Sequence, residues 1–146
     1  MSWMKNLVTV AALGLLLAAC GSSGSSTASG GSAREVVFEM RDNAFSPATV
    51  SAAKGEKVKL TFNNKGTVEH EALVGDDAAQ DAHAADMGSS DAMDGMHHDD
   101  SGALITVAPG KSGSLTYTFD KTGSIVIGCH EPGHYEAGMK VAVTVT

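Results

Sequence analysis

The sequence predicts an all-β domain, a Greek-key β-sandwich or barrel of about eight strands carrying one long acidic loop insertion. Three observations predict it. Short segments alternating apolar and polar residues recur along the chain, separated by turn residues. No stretch beyond residue 33 sustains a 3.6-residue period with caps, so little helix is expected. The alternating positions also supply enough Val, Ile, Leu and Phe to fill the space between two sheets about 10 Å apart.

Taken in order, Val36, Phe38 and Met40 share one face of a first strand. Phe45 to Val50 reads as a broken edge strand, since Pro47 is tolerated only where its missing N–H is not needed. Lys54-Gly55 makes a turn, after which Val58, Leu60 and Phe62 alternate with Lys57, Lys59 and Thr61. Glu69 to Val74 follows and carries His70. Leu104 to Val107 resumes the sheet after the insertion, and Pro109-Gly110-Lys111-Ser112-Gly113 turns into Leu115, Tyr117 and Phe119. Thr122-Gly123 turns again, Ile125 to Ile127 lead to Gly128-Cys129, and Val141, Val143 and Val145 form the closing strand.

The N-terminus reads as an export signal over residues 1–19, with Lys5 as positive flank and an apolar run from Leu7 to Ala19. That run is too short for a membrane span, which needs about 20 residues. Leu17-Ala18-Ala19-Cys20 resembles a bacterial lipobox, which implies lipidation at Cys20. Residues 20–33 are then a tether almost wholly of Gly, Ser, Thr and Ala, with a root-mean-square reach of roughly 20 Å. Residues 34–146 remain for one domain. The expected protein is exported, lipid-anchored to a bacterial membrane on its periplasmic or extracellular side, and monomeric.

Charge is unevenly spread. Removal of the signal with its Lys5 takes the formal charge from -7 to -8, while Asp76 to Asp100 alone holds eight aspartates and no Lys or Arg. The rest of the exported chain is balanced, which argues against a nucleic-acid partner.

Only two cysteines are present, and pairing Cys20 with Cys129 would tie the tether to a distant loop. A leftover thiol in an exported chain points to a reactive or metal-bound group. Gly128-Cys129-His130-Glu131-Pro132-Gly133-His134-Tyr135-Glu136-Ala137-Gly138-Met139 places thiolate, imidazole and thioether on one loop. A Cys and two His with a weak axial Met is the ligand set of an electron-transfer copper site, so one histidine is wanted from elsewhere. His70 is the natural candidate. His130 directly follows Cys129, and strand alternation turns it away from the ligand face toward the surface.

Cys129, His134 and Met139 fit Cys-x4-His-x4-Met, and with His70 on an earlier strand the set resembles the cupredoxins, the small blue copper proteins. The loop spacing is most similar to the rusticyanin and auracyanin type. Phe45-Ser46-Pro47, Pro109-Gly110 and Leu115-Thr116-Tyr117-Thr118-Phe119 are also similar to cupredoxin landmarks, so the resemblance runs from about Glu35 to Thr146 with one insertion. It implies one copper ion held by His70, Cys129, His134 and Met139, electron transfer with redox partner proteins, and no catalysis. Many members carry an Asn after the first ligand histidine. Glu71 stands there instead, which leaves a looser, more solvated site or a lowered potential as the expectation, while its backbone N–H can still reach the Cys129 sulfur.

Residues 76–102 are a second informative segment. His83, Met87, Met93, Met96, His97 and His98 lie among aspartates, alanines and serines, and Met93-Asp94-Gly95-Met96-His97 resembles the Met/His segments of bacterial copper-resistance proteins. Thioether and imidazole suit Cu(I), so this segment is a candidate second copper site on a structureless loop. The alternative function is therefore copper resistance or delivery.

Overall fold

The computed structural model describes residues 33–87 and 103–146. The export signal, Cys20, most of the tether, and Met93, Met96, His97 and His98 lie outside the described residues.

The described residues form nine strands and one helix: β1 (Arg34–Arg41), β2 (Ala44–Ser46), β3 (Thr49–Ala52), β4 (Glu56–Asn64), β5 (His70–Gly75), α1 (Asp77–Met87), β6 (Ala103–Val107), β7 (Ser112–Phe119), β8 (Gly123–Gly128) and β9 (Lys140–Val145). They make two open sheets facing each other, ordered β2-β1-β4-β7 and β3-β9-β8-β5-β6. The architecture is a sandwich, not a closed barrel. β1 runs parallel to β4 and β3 parallel to β9, and the other pairings are antiparallel.

The alternation read from sequence sets which face turns inward. Phe38, Met40, Val58, Leu60 and Phe62 from one sheet and Ile127, Val141, Val143 and Val145 from the other are buried between the layers. Phe62 stacks on Phe38 with ring centroids 5.1 Å apart and meets Phe45 edge-on at 6.3 Å. Such aromatic pairs contribute about 0.5–1.5 kcal/mol beyond the area they bury.

Two expectations are corrected. Phe45 to Val50 is not one broken strand: β2 pairs with β1 in the first sheet, and β3 pairs with β9 in the second. The chain changes sheets across Pro47, where no N–H is available to continue a ladder. This switch makes nine strands of the expected eight or so.

The second correction concerns the insertion, whose first part is helical. Asp76 Oδ1 accepts the Ala79 N–H at 3.0 Å as an N-cap. Asp77 sits in the first turn, where a carboxylate favours the positive end of the helix. Five alanines among eleven residues then supply the highest intrinsic propensity. The helix shows no apolar stripe because it docks through Ala79 and the polar Gln80 instead of large apolar side chains.

Candidate metal centre

β5 and β8 are neighbours in the second sheet, and their register sets Leu73 opposite Gly128. His70 opens β5, and Cys129 leaves β8 one residue past that pairing. Topology therefore delivers both to one end of the sandwich. The chain then loops from Cys129 to Met139 before entering β9. The Cys129 N–H donates to Met139 O at 3.2 Å and the Met139 N–H donates to His134 O at 3.0 Å, which closes the loop on itself.

His70 Nδ1 lies 3.9 Å and His134 Nδ1 3.5 Å from Cys129 Sγ. One ligand atom from each of the three residues falls within 4.8 Å of the others. A nitrogen about 2.0 Å and a sulfur about 2.3 Å from one ion, in a roughly trigonal set, stand about 3.7 Å apart. The two observed separations bracket that value. His70, Cys129 and Met139 are fully buried, and His134 is half-buried. The donor chemistry, one thiol and two imidazoles beside a thioether-bearing residue, is what copper favours.

Burial pushes the Cys129 thiol up, opposed by the N–H groups of Glu71 and Glu131. The Glu71 N–H stands 3.4 Å from the sulfur, as the sequence had suggested. Burial, reinforced by the charge of His134, pushes His70 down despite the opposing Asp42 carboxylate. Burial and the neighbouring imidazole thus both favour the uncharged form of His70. A metal ion held by Cys129 would stabilise its thiolate outright, and binding would then release the thiol proton.

Glu71 does not open the site to solvent. Its side chain is buried, and Oε2 pairs with His83 Nε2 at 3.0 Å. His130 is not at the surface either. It is buried, bonds through Nε2 to Gln80 Oε1 at 2.8 Å and stacks on Tyr135. Strand alternation misleads here because β8 ends at Gly128, so residues 129 and 130 belong to a loop without a two-residue period.

Of the suggested second copper set, His83 is engaged with Glu71, and Met87 lines an open cleft with His130, Pro132 and Tyr135. Among the described residues, only His70, Cys129 and His134 gather ligand atoms from three His, Cys, Asp or Glu side chains.

Two supporting residues escaped the sequence reading. Asn64, buried at the end of β4, donates through Nδ2 to Val68 O and Val107 O at 2.8 Å each, and its Oδ1 accepts the Gly66 N–H at 2.8 Å. Val107 is the register partner of His70, so Asn64 fixes the turn that delivers the histidine. Asp42 accepts from the Thr67 N–H at 2.9 Å and hydroxyl at 3.0 Å, and its Oδ1 lies 3.5 Å from His70 Nε2. Gly66 permits this approach: a Cβ there would collide with Asp42 Oδ1 and stand 2.8 Å from His70 Nε2.

Asn64→Ala would leave two carbonyls and one N–H in this turn without their partner. The expected cost is about 3 kcal/mol, a fall of roughly 10 °C in the Tm of the metal-free domain. Thermal unfolding followed by circular dichroism checks this, and a fall of under about 3 °C would refute the brace.

Fold and site together define a copper protein of the cupredoxin class. The chain belongs to that family, with residues 9–141 matching its cupredoxin-like domain. It is similar to the copper-resistant cuproprotein CopI of Rubrivivax gelatinosus, 44% identical over 101 residues, which cover 69% of this chain and 59% of that protein. It is also similar to auracyanin-B of Chloroflexus aurantiacus, 36% identical over 111 residues covering 70% of this chain and 47% of the relative. The chain thus spans about half of the length of these two relatives. The reduced auracyanin of Roseiflexus castenholzii shares the fold with a TM-score of 0.67 at 22% identity, covering 80% of this chain and 99% of that one. No helix among the described residues is long and apolar enough to cross a membrane.

Proposed function

We propose that His70, Cys129, His134 and Met139 hold one copper ion in a blue-type site, and that the protein is an exported electron carrier. The observation carrying this reading is the convergence of three donor atoms within 4.8 Å at one end of the sandwich. Bound copper supplies one-electron chemistry, alternating between Cu(II) and Cu(I). The chain's part is to keep the ligands still. Three of the four proposed ligands sit on a loop closed by its own backbone bonds, and His70 is set by the Asn64 turn. A rigid set changes little between oxidation states, which keeps the cost of electron transfer low. Half-buried His134 is the ligand nearest to solvent, the natural edge for a redox partner to approach.

The test is the visible and EPR spectrum of the copper-loaded protein against its Cys129→Ser form. Loss of the thiolate band in the variant supports the reading, and an unchanged spectrum removes it.

A second reading, copper tolerance, is favoured by the name of the 44% identical relative and by the Met/His composition of residues 76–102. Here the insertion captures Cu(I) outside the main site. Replacing Met93, Met96, His97 and His98 together with serine is expected to lower bound Cu(I) per chain, with the visible band of the main site unchanged. Equal stoichiometry by metal analysis would remove this reading. The lipobox-like Leu17-Ala18-Ala19-Cys20 supports an exported protein lipid-anchored through Cys20, and intact-protein mass after membrane extraction tests that proposal.

A further inference from the structure

Each proposed copper ligand is followed in sequence by a residue with a contact outside the ligand set: three of these followers touch in a row, and His83 of α1 links the fourth, Glu71, to them. Glu71 follows His70, His130 follows Cys129, Tyr135 follows His134 and Lys140 follows Met139. His83 Nε2 lies 3.0 Å from Glu71 Oε2, and the His83 ring meets His130 edge-on at 5.1 Å. His130 stacks on Tyr135 at 4.3 Å with planes 16° apart. Lys140 Nζ sits 3.7 Å over the Tyr135 ring. The part of this row from half-buried His83 to buried His130 ties α1 to the loop that carries Cys129 and His134.

Helix α1 anchors this line at two points three residues apart, hence on one helical face. His83 is one. Gln80 is the other, a polar side chain only 1% exposed. Its Nε2 donates to Leu73 O and Val126 O at 3.1 Å each, on the two strands that deliver His70 and Cys129. That fixes the amide so that Oε1 faces His130 Nε2 at 2.8 Å, with the imidazole as donor. The contact is direct because residue 128 is glycine: a Cβ there would stand 2.5 Å from Gln80 Oε1 and 2.6 Å from Tyr135 Cε2. A buried amide with this many satisfied bonds specifies one geometry, and leaving it half-satisfied is costly.

We infer that α1, acting through Gln80 and His83, is the positioning element of the copper site: it holds Glu71 and His130, the residues that follow His70 and Cys129, and reaches the residue after His134 through the His130 stack on Tyr135. This rests on the ligand set proposed above. Neither Gln80 nor His83 need touch the metal. Partners that bond a ligand side chain directly typically contribute about 10-fold to 100-fold in metal affinity, and a clamp acting one residue further out is expected to contribute up to about the lower figure.

The test uses the full chain with Gln80→Met, which keeps length and volume but cannot bond, and His130→Phe, which keeps the stack on Tyr135 but drops the Gln80 bond. Val58→Ala, a core change in the other sheet, serves as the control for lost stability. In both test variants the thiolate-to-copper band and the EPR hyperfine splitting should shift and copper affinity should fall by up to about 10-fold. In the metal-free proteins, amide exchange at Cys129 and Met139 should accelerate about tenfold beyond that of Val58→Ala. Wild-type spectra together with exchange no faster than in the control would overturn the inference. Should Gln80→Met fail to fold, His130→Phe decides alone. A wild-type protein without a thiolate band would defeat the ligand proposal instead, and the metal-free exchange data would still judge the clamp.

Discussion

Copper(II) added to the metal-free protein is expected to produce an intense visible absorption from thiolate-to-copper charge transfer, and Cys129→Ser to abolish it. The sulfur is the hub of the set, with both imidazole nitrogens measured from it at 3.5 and 3.9 Å. A serine hydroxyl is too weak an acid to become a comparable anion in this fully buried position, where desolvation already pushes the thiol itself up. The variant keeps two imidazoles, so weak copper binding without the visible band is its expected residue of function. Affinity should fall by more than the roughly 10–100-fold that losing an outer partner costs. Titration calorimetry beside the visible spectrum measures both quantities. A variant that retained wild-type affinity would move the metal away from Cys129.

The parts of this site that were legible in the sequence are those set by short spacing. Cys129 and His134 lie within six residues on one loop, which brings their ligand atoms to 3.5 Å of one another, and Met139 closes the same loop through its backbone. His70 was selected through its strand, and the pairing of β5 with β8 delivers it. The supporting shell was less legible because it depends on tertiary packing. Asn64 did leave a trace: it continues the inward phase of Val58, Leu60 and Phe62, and a polar residue at such a position must find partners. Helix α1 left little, since alanine and aspartate tracts read alike as low-complexity loop or as capped helix until something buries one face. What buries it is Gln80 against the ends of β5 and β8, a contact that no periodicity encodes. His130 is oriented in the same way, by Gln80 and Tyr135 across the chain, which strand alternation does not encode.

Phe62→Ala should give the largest loss of stability, and copper should partly reverse it. Phe62 is fully buried and packs on two other phenylalanines, so truncation removes the transfer energy of the ring and opens a cavity between the sheets. The expected cost is about 4 kcal/mol, a fall of roughly 15 °C in Tm for a domain of this size. Domains of this kind have about 5–15 kcal/mol in all, so much of the metal-free variant approaches its threshold. Copper at a free concentration of 100 times Kd binds the folded form only and returns about 2.7 kcal/mol, raising Tm by roughly 10 °C. Its spectrum should stay near wild type, because the ring contacts it loses are those with Phe38 and Phe45. The paired Phe62→Ala, Cys129→Ser protein should gain much less from copper. If both variants were stabilised equally, the metal would be binding the folded state somewhere other than between β5 and β8, and the loop between β8 and β9 would be a structural feature only.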